Sequence, residues 1–231
     1  MKCTQCDLVY MPEIPSDASL ETDYEWDESF ARERFERWKK KPLMKLWTAL
    51  VWTIKPPREK RALRFIRRFA TTGRMLDIGC GDGRLALRAK NSGFAPTGIE
   101  LSEKMAAKAR WRIGNENVFC GRLTEFEAAN GSFDVAVTVS YMEHEPDPAG
   151  VMMRTHALLR SGGICVHKVP NYDSKLRSML GARWSGYRWP EHFQYYTPAT
   201  LSRLMTDAGF EIIATRANRY SDNFWVVGQR S

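Results

Sequence analysis

Asp77, Asp82 and Glu100 surround three closely spaced glycines, and that combination describes a site for a cation. Residues 75–83 read Met-Leu-Asp-Ile-Gly-Cys-Gly-Asp-Gly. Met75, Leu76 and Ile78 make a short apolar run of strand type. Gly79, Gly81 and Gly83 let the backbone turn tightly against a ligand, and Leu85, Leu87 and Ala89 then recur on one helical face. A glycine-rich strand-to-helix turn is the nucleotide-binding corner of a doubly wound α/β sheet. A diphosphate in such a corner requires bare backbone N–H groups. Two carboxylates there would repel it and attract positive charge. Gly83 also falls one place too early for the dinucleotide pattern G-x-G-x-x-G, where Arg84 stands. Glu100 ends a second strand at 96–100, about 20 residues past the loop, where ribose hydroxyls are bound in such folds. A nucleoside with positive charge and no phosphate meets every condition, and S-adenosylmethionine (SAM), with its sulfonium and ammonium, is such a ligand.

The loop, Glu100 and the segment 141–148 (Tyr-Met-Glu-His-Glu-Pro-Asp-Pro) occur in the order seen in the class I SAM-dependent methyltransferases, which the chain resembles over residues 70–216. Residues 132–140 fit that family's fourth strand and 158–164 the turn into the fifth. Segment 141–148 resembles the EH-x-x-DP stretch of the small-molecule subgroup that includes quinone O-methyltransferases. Pro170, Asn171, Trp184, Glu191, His192 and Leu204–Phe210 extend the likeness. The resemblance implies cofactor contacts from Asp77, Gly79, Cys80, Gly81 and Gly83, with Asp77 and the Gly79–Gly81 backbone beside the methionine end. It implies that Glu100 holds the ribose hydroxyls, that Leu101 packs on adenine, and that the turn through Gly121, Arg122 and Leu123 edges the ring with its backbone. Many relatives carry an acid where Arg122 stands, so a side-chain contact is not expected there. Ser140, at a strand end, is expected to face the cofactor.

Methyl transfer from a sulfonium is an in-line displacement, so the protein's main task is alignment in a dry pocket. His144 and His192 are the candidate general bases, because imidazole titrates near neutral pH. For His144 a helix-initiating hydrogen bond within its own segment is the competing role. His156 and His167 are expected to be structural. Nucleobase N-methyltransferases often carry Asn/Asp-Pro-Pro-aromatic after the fourth strand; Ser140 to Glu143 does not match, which disfavours nucleic acid. Some related quinone O-methyltransferases hold a divalent metal with Glu-x-x-Glu-His. Ser140 replaces the first acid here, so no metal is expected. Cys3 and Cys6 resemble the second half of a zinc knuckle, but two thiolates leave half a tetrahedral shell open. Arg183, Arg188, Trp184, Tyr187 and Trp189 suit an anionic or planar acceptor, or simply close the pocket.

The elements that must position these groups follow from the patterning. At 231 residues with 43% hydrophobic content, the chain forms one α/β domain with an appendage. No apolar run approaches the ~18 residues of a spanning helix, and no signal-peptide core follows Met1. Five scattered cysteines point to a reducing cytoplasm. The net charge of +8 is uneven: residues 1–30 hold one lysine and eight acids, and residues 31–68 hold fourteen basic groups and three acids. The basic block suits phosphates, anionic lipid or a solvated helix face. A charged helix is expected at 28–41. Leu43, Leu46, Trp47, Leu50 and Ile54 recur at helical spacing, reading as a lid over the acceptor or as an interfacial membrane helix. The lid is favoured. The expected division is an arm at 1–56 and a SAM-binding domain at 57–231, with an aromatic-rich insertion at 171–196 as the substrate wall.

Strands are expected near 75–79, 96–100, 117–121, 133–140, 163–169, 210–216 and 223–228, with helices near 58–70, 84–92, 102–113, 148–160 and 197–208. That alternation implies a doubly wound, mainly parallel sheet; the resemblance implies seven strands, the last antiparallel, in the Rossmann-like methyltransferase fold with an amino-terminal helical extension. The expected activity is SAM-dependent methyl transfer to an oxygen of a small-molecule or lipid-like acceptor, in the cytoplasm or peripherally at a membrane. The alternatives are RNA methylation, motivated by the basic block, and a non-catalytic SAM-binding regulator attached to membrane through 43–54.

Overall fold

The computed structural model describes residues 1–13, 57–188 and 191–231; the helices expected at 28–41 and 43–54 fall outside them. In chain order the strands are β1 (Val9–Tyr10), β2 (Gly73–Ile78), β3 (Phe94–Glu100), β4 (Val118–Cys120), β5 (Phe133–Val139), β6 (Leu159–Pro170), β7 (Gln194–Tyr195), β8 (Phe210–Arg216) and β9 (Asn223–Arg230). Seven of them form one sheet in the order β4-β3-β2-β5-β6-β9-β8. The first five of that order run parallel, and β9 is antiparallel to both β6 and β8. The chain builds outward from β2 to β3 and β4, then returns to place β5 on the other side of β2. That reversal is the switch point at which such sheets bind ligands, outside the carboxyl ends of the strands.

The helices are α1 (Arg58–Ile66), α2 (Arg84–Lys90), α3 (Glu103–Ile113), α4 (Pro148–Leu158), α5 (Lys175–Leu180) and α6 (Pro198–Asp207). Central strands covered on both faces read as continuous apolar runs, and side-chain alternation sorts them into two layers. Met75, Val135, Val137, Val166 and Val227 pack with Leu63, Phe65 and Ile66 of α1 and Leu85 and Ala89 of α2. Leu76, Ala136, Cys165 and Val226 face the other way, onto Val151, Met152 and Leu158 of α4 and Leu201 and Met205 of α6. Side-chain caps fix where helices begin: Ser102 accepts from the Met105 N–H, Asp147 from Gly150, and Thr197 from Thr200. Each such cap is worth about 1 kcal/mol. Capping by Asp147 is what the Pro-Asp-Pro stretch does.

Three elements depart from expectation. No strand is expected before 75–79 or within the insertion, yet β1 pairs antiparallel with β7, Val9 opposite Tyr195 and Tyr10 opposite Gln194. Cys3 and Cys6 lie in the turn before β1, where the Cys3 N–H donates to Leu8 O at 2.8 Å and Asp7 takes a φ of 62°. Arg203 of α6 donates to Gln5 O at 2.6 Å, and Leu8 packs against the core. The amino terminus is therefore docked on the insertion rather than trailing from the domain. A two-residue strand is too short for any periodicity to reveal. Within the insertion, α5 was also unforeseen; Ser174 starts it by accepting from the Arg177 N–H at 3.1 Å. Among the described residues no helix is long and apolar enough to cross a membrane.

Candidate functional site

The corner after β2 is closed from within. The N–H groups of Gly79 and Cys80 both donate to Ile99 O at 2.9 Å, and that of Gly83 donates to Cys80 O at 3.0 Å. The Gly81 N–H donates to Glu100 Oε2 at 2.8 Å, while Glu100 Oε1 accepts from the Ser102 N–H at 3.0 Å. These donors are committed, so the loop has little to offer a diphosphate. What it presents is acid. Asp77 is 2% exposed, and its Oδ2 is buried with no hydrogen-bond partner among the described residues. Burial, reinforced by the nearby Glu100 carboxylate, pushes Asp77 up to about 7. Burial also raises Glu100, against the pull of its backbone donors. A buried polar atom without a partner is costly, and this one is ready for a donor or a cation.

The glycines serve three different ends. A Cβ on Gly79 would stand 2.5 Å from the Tyr141 ring, and one on Gly83 would stand 2.9 Å from the Ala109 backbone of α3. Gly79 thus lets the segment after β5 press on the corner, and Gly83 lets α3 close on it. Gly81, at φ 55°, faces open space, with nothing within 4 Å of an added Cβ. The loop is open on that side.

Beyond β5 the chain turns through Ser140 at φ 58°, a left-handed conformation that costs a non-glycine residue about 1–3 kcal/mol. Ser140 Oγ accepts from Lys168 Nζ at 3.1 Å, and the Ser140 N–H donates to Lys168 O at 2.9 Å. Glu143, His144 and His192 lie next to this pair, all buried, and their ligand atoms fall within 4.8 Å of one another. His144 Nδ1 donates to Glu191 O at 2.7 Å and His192 Nδ1 to Gly186 O at 2.9 Å; a carbonyl only accepts, so both protons sit on Nδ1. The rings meet edge to face with centroids 4.6 Å apart. Burial holds both imidazoles neutral, His192 down to about 4 and His144 well below its ordinary value. Burial pushes Glu143 up to about 7 against the attraction of Lys168, and its Oε2 has no hydrogen-bond partner among the described residues.

A family model described as a methyltransferase domain matches residues 54–215. The chain belongs to this family. A ubiquinone biosynthesis O-methyltransferase of Psychrobacter arcticus is 30% identical over 170 residues, covering 67% of this chain and 66% of that protein. The same-named protein of Nitrosococcus oceani is 30% identical over 165 residues, covering 65% of this chain and 69% of its own length. This chain spans just under two-thirds of the length of the first such relatives. A crystal structure from Thermotoga maritima, described as a SAM-dependent methyltransferase and possible histamine N-methyltransferase, superimposes with a TM-score of 0.65 at 22% identity, covering 89% of this chain and 100% of that one.

In this methyltransferase domain the sequence-derived residues separate into groups. Asp77, Gly79, Gly81, Glu100 and Leu101 meet at the corner. Asp82 does not. Its carboxylate pairs with Arg84 at 2.9 Å and Arg112 at 3.3 Å, so the second acid of the corner is Glu100. Cys80 brings only backbone, because its thiol is buried against Gly98 and α3. Leu123 is 1% exposed in the main core, which leaves its backbone alone to edge a ligand. His144 helps join the turn after β5 to the insertion instead of starting α4, and Glu145 braces that turn by accepting from Tyr141 Oη and the Asp147 N–H. His156 packs on Phe210 and His167 is enclosed between Thr138 and Cys165. Arg188 pairs with Glu191 at 2.9 Å, so it is already engaged by an acid. His192 reaches Glu143 and His144 from the insertion, and together these three donors could hold a divalent cation. Lys168 was overlooked. A lysine inside the otherwise apolar run of β6 was the available signal.

Proposed function

We propose that this chain binds SAM at the β2 corner and transfers its methyl group to an oxygen of a small, phenol- or quinone-like acceptor. The corner itself supports the reading: the N–H groups of Gly79, Cys80, Gly81 and Gly83 are committed, and the buried Oδ2 of Asp77 has no hydrogen-bond partner among the described residues. SAM, when bound, supplies an electrophilic methyl on a sulfonium. Asp77 answers the positive charge of the methionine end. Glu100 accepts from the ribose hydroxyls, held in place by the Gly81 and Ser102 N–H groups. Leu101 and the backbone of the Gly121–Leu123 turn flank the adenine. The family supports the reaction class, and the names of the curated relatives support oxygen and a quinone-like acceptor. The insertion follows Pro170 at the carboxyl end of β6 and carries a cluster of Tyr172, Trp184, Tyr187 and Tyr195, with ring centroids 5.1–6.3 Å apart. These rings suit a planar acceptor. A lipid-borne acceptor would give residues 43–54, with their basic flanks and tryptophans, a role at the membrane surface.

The test uses the proton on Asp77. In the free protein its carboxyl is half protonated at about 7, and a sulfonium or ammonium beside it favours the charged form. Ligand uptake then expels a proton. SAM affinity is expected to fall by up to about tenfold per pH unit below 7 and to level off above it. Asp77→Asn should bind more weakly with this dependence removed. Calorimetry between pH 5.5 and 8.5 checks it, and an affinity independent of pH in the unsubstituted chain contradicts the assignment of Asp77.

A further inference from the structure

We propose that Lys168, held at the strand edge by Ser140, supplies the cation that binds the acceptor oxygen as its anion. This rests on the methyl-transfer reading above and adds a residue and a substrate character to it. Three placements converge. Lys168 lies opposite Val139 of β5 at the carboxyl end of β6, so only β5 separates its strand from the corner where β2 ends. Its Nζ donates to Ser140 Oγ at 3.1 Å, and Ser140 keeps a left-handed backbone immediately before Tyr141, the ring that presses on Gly79. Cofactor corner, serine and lysine therefore follow one another across the open edge of the sheet.

The surroundings suit an ammonium that still has an anion to bind. Glu143 faces Lys168 from the turn after β5 and draws it toward the charged state, while Arg58 and Arg61 of α1 oppose it; His192 feels it from the insertion. Burial brings Lys168 down to about 8, so it remains mainly cationic at neutral pH. A partly buried ammonium fixed by a neutral hydroxyl favours an oxyanion beside it. The acceptor would be an acidic hydroxyl, a phenol or enol, that gives its proton to solvent on binding. Its oxygen lone pair forms the O–C bond as the C–S bond breaks. The bonding pair stays on sulfur, so oxyanion and sulfonium are neutralised together and Lys168 keeps its proton.

The experiment uses the full chain saturated with S-adenosylhomocysteine and 4-nitrocatechol as a probe whose phenolate is read by its absorbance. The bound probe is expected to ionise about one pH unit below its free midpoint. Lys168→Met should return that midpoint to the free value or above, Lys168→Arg should retain part of the shift, and S-adenosylhomocysteine affinity should stay within about threefold, since neither variant touches the corner. Methyl transfer to the probe from SAM should fall about 100-fold in Lys168→Met. If Lys168→Met no longer binds S-adenosylhomocysteine, Lys168→Gln takes its place. A probe that ionises in the unsubstituted chain no more readily than in water overturns the proposal whatever the variants do. So does a shift that survives Lys168→Met, or one removed by a chelator, which would assign the cation to a metal on Glu143, His144 and His192. A probe that does not bind while SAM does removes the phenolic-acceptor reading along with the proposal.

Discussion

Replacing Glu100 with alanine is expected to weaken SAM binding by about 1–3 kcal/mol, roughly 5- to 150-fold, the scale of losing charge-assisted hydrogen bonds. The effect has two parts. Glu100 Oε1 and Oε2 accept from the Ser102 and Gly81 N–H groups, so removing the carboxylate frees the glycine loop as well as depriving the ribose of its acceptor. Glutamine is expected to be no remedy: both oxygens face N–H donors, and an amide would turn an NH2 against one of them. A further consequence follows from charge. Glu100 helps to raise Asp77, so in Glu100→Ala the pH at which SAM affinity levels off should move downward. Calorimetry at several pH values reads both effects. Unchanged affinity and an unmoved pH profile would show that Glu100 neither holds the ribose nor acts on Asp77.

The second large effect is on stability in acid. His167 is fully buried in β6 with Nδ1 2.6 Å from Thr138 Oγ1 and Nε2 2.9 Å from Cys165 Sγ. Burial holds it down to about 3, against 6.5 when exposed. The folded chain keeps this imidazole neutral while the unfolded chain takes up the proton. Its contribution is therefore fully present above about pH 6.5 and is lost as pH falls toward 3, by about 1.4 kcal/mol per unit. Asp77 and Glu143, both raised to about 7, act in the opposite sense, since their protonated folded forms favour folding in acid. The total curve mixes these signs, so the test is a difference. Urea unfolding of the unsubstituted chain and His167→Gln at pH 7, 6, 5 and 4 should show the gap shifting against the unsubstituted chain by about 1.4 kcal/mol per unit below 6.5. Parallel curves would mean that His167 titrates normally or is hydrated.

Much of the sheet was legible because its central strands are apolar on both faces. Leu76 and Ile78 before three glycines, Val135 to Val137, and Ile164 to Val166 give short uninterrupted runs separated by amphipathic segments, and such runs specify parallel strands under helices. The corner was legible for a chemical reason: glycine spacing and acid placement are local in sequence. What was not legible depends on contacts between distant segments. Asp82 looked like a ligand-facing acid because Arg112, thirty positions later, could not be seen to reach it. His144 and His192 were weighed separately, yet they meet ring to ring because the insertion folds back over the turn after β5. The pairing of β1 with β7 joins the first ten residues to the last part of that insertion, a long-range match that no local pattern encodes. Lys168 was hidden by the strand around it.

Titration calorimetry of the purified chain at pH 8 with SAM and with NAD decides whether the β2 corner takes a cationic nucleoside or a dinucleotide. The structure predicts one SAM per chain at micromolar affinity and no heat of binding from NAD. Saturable NAD binding with none from SAM would contradict it.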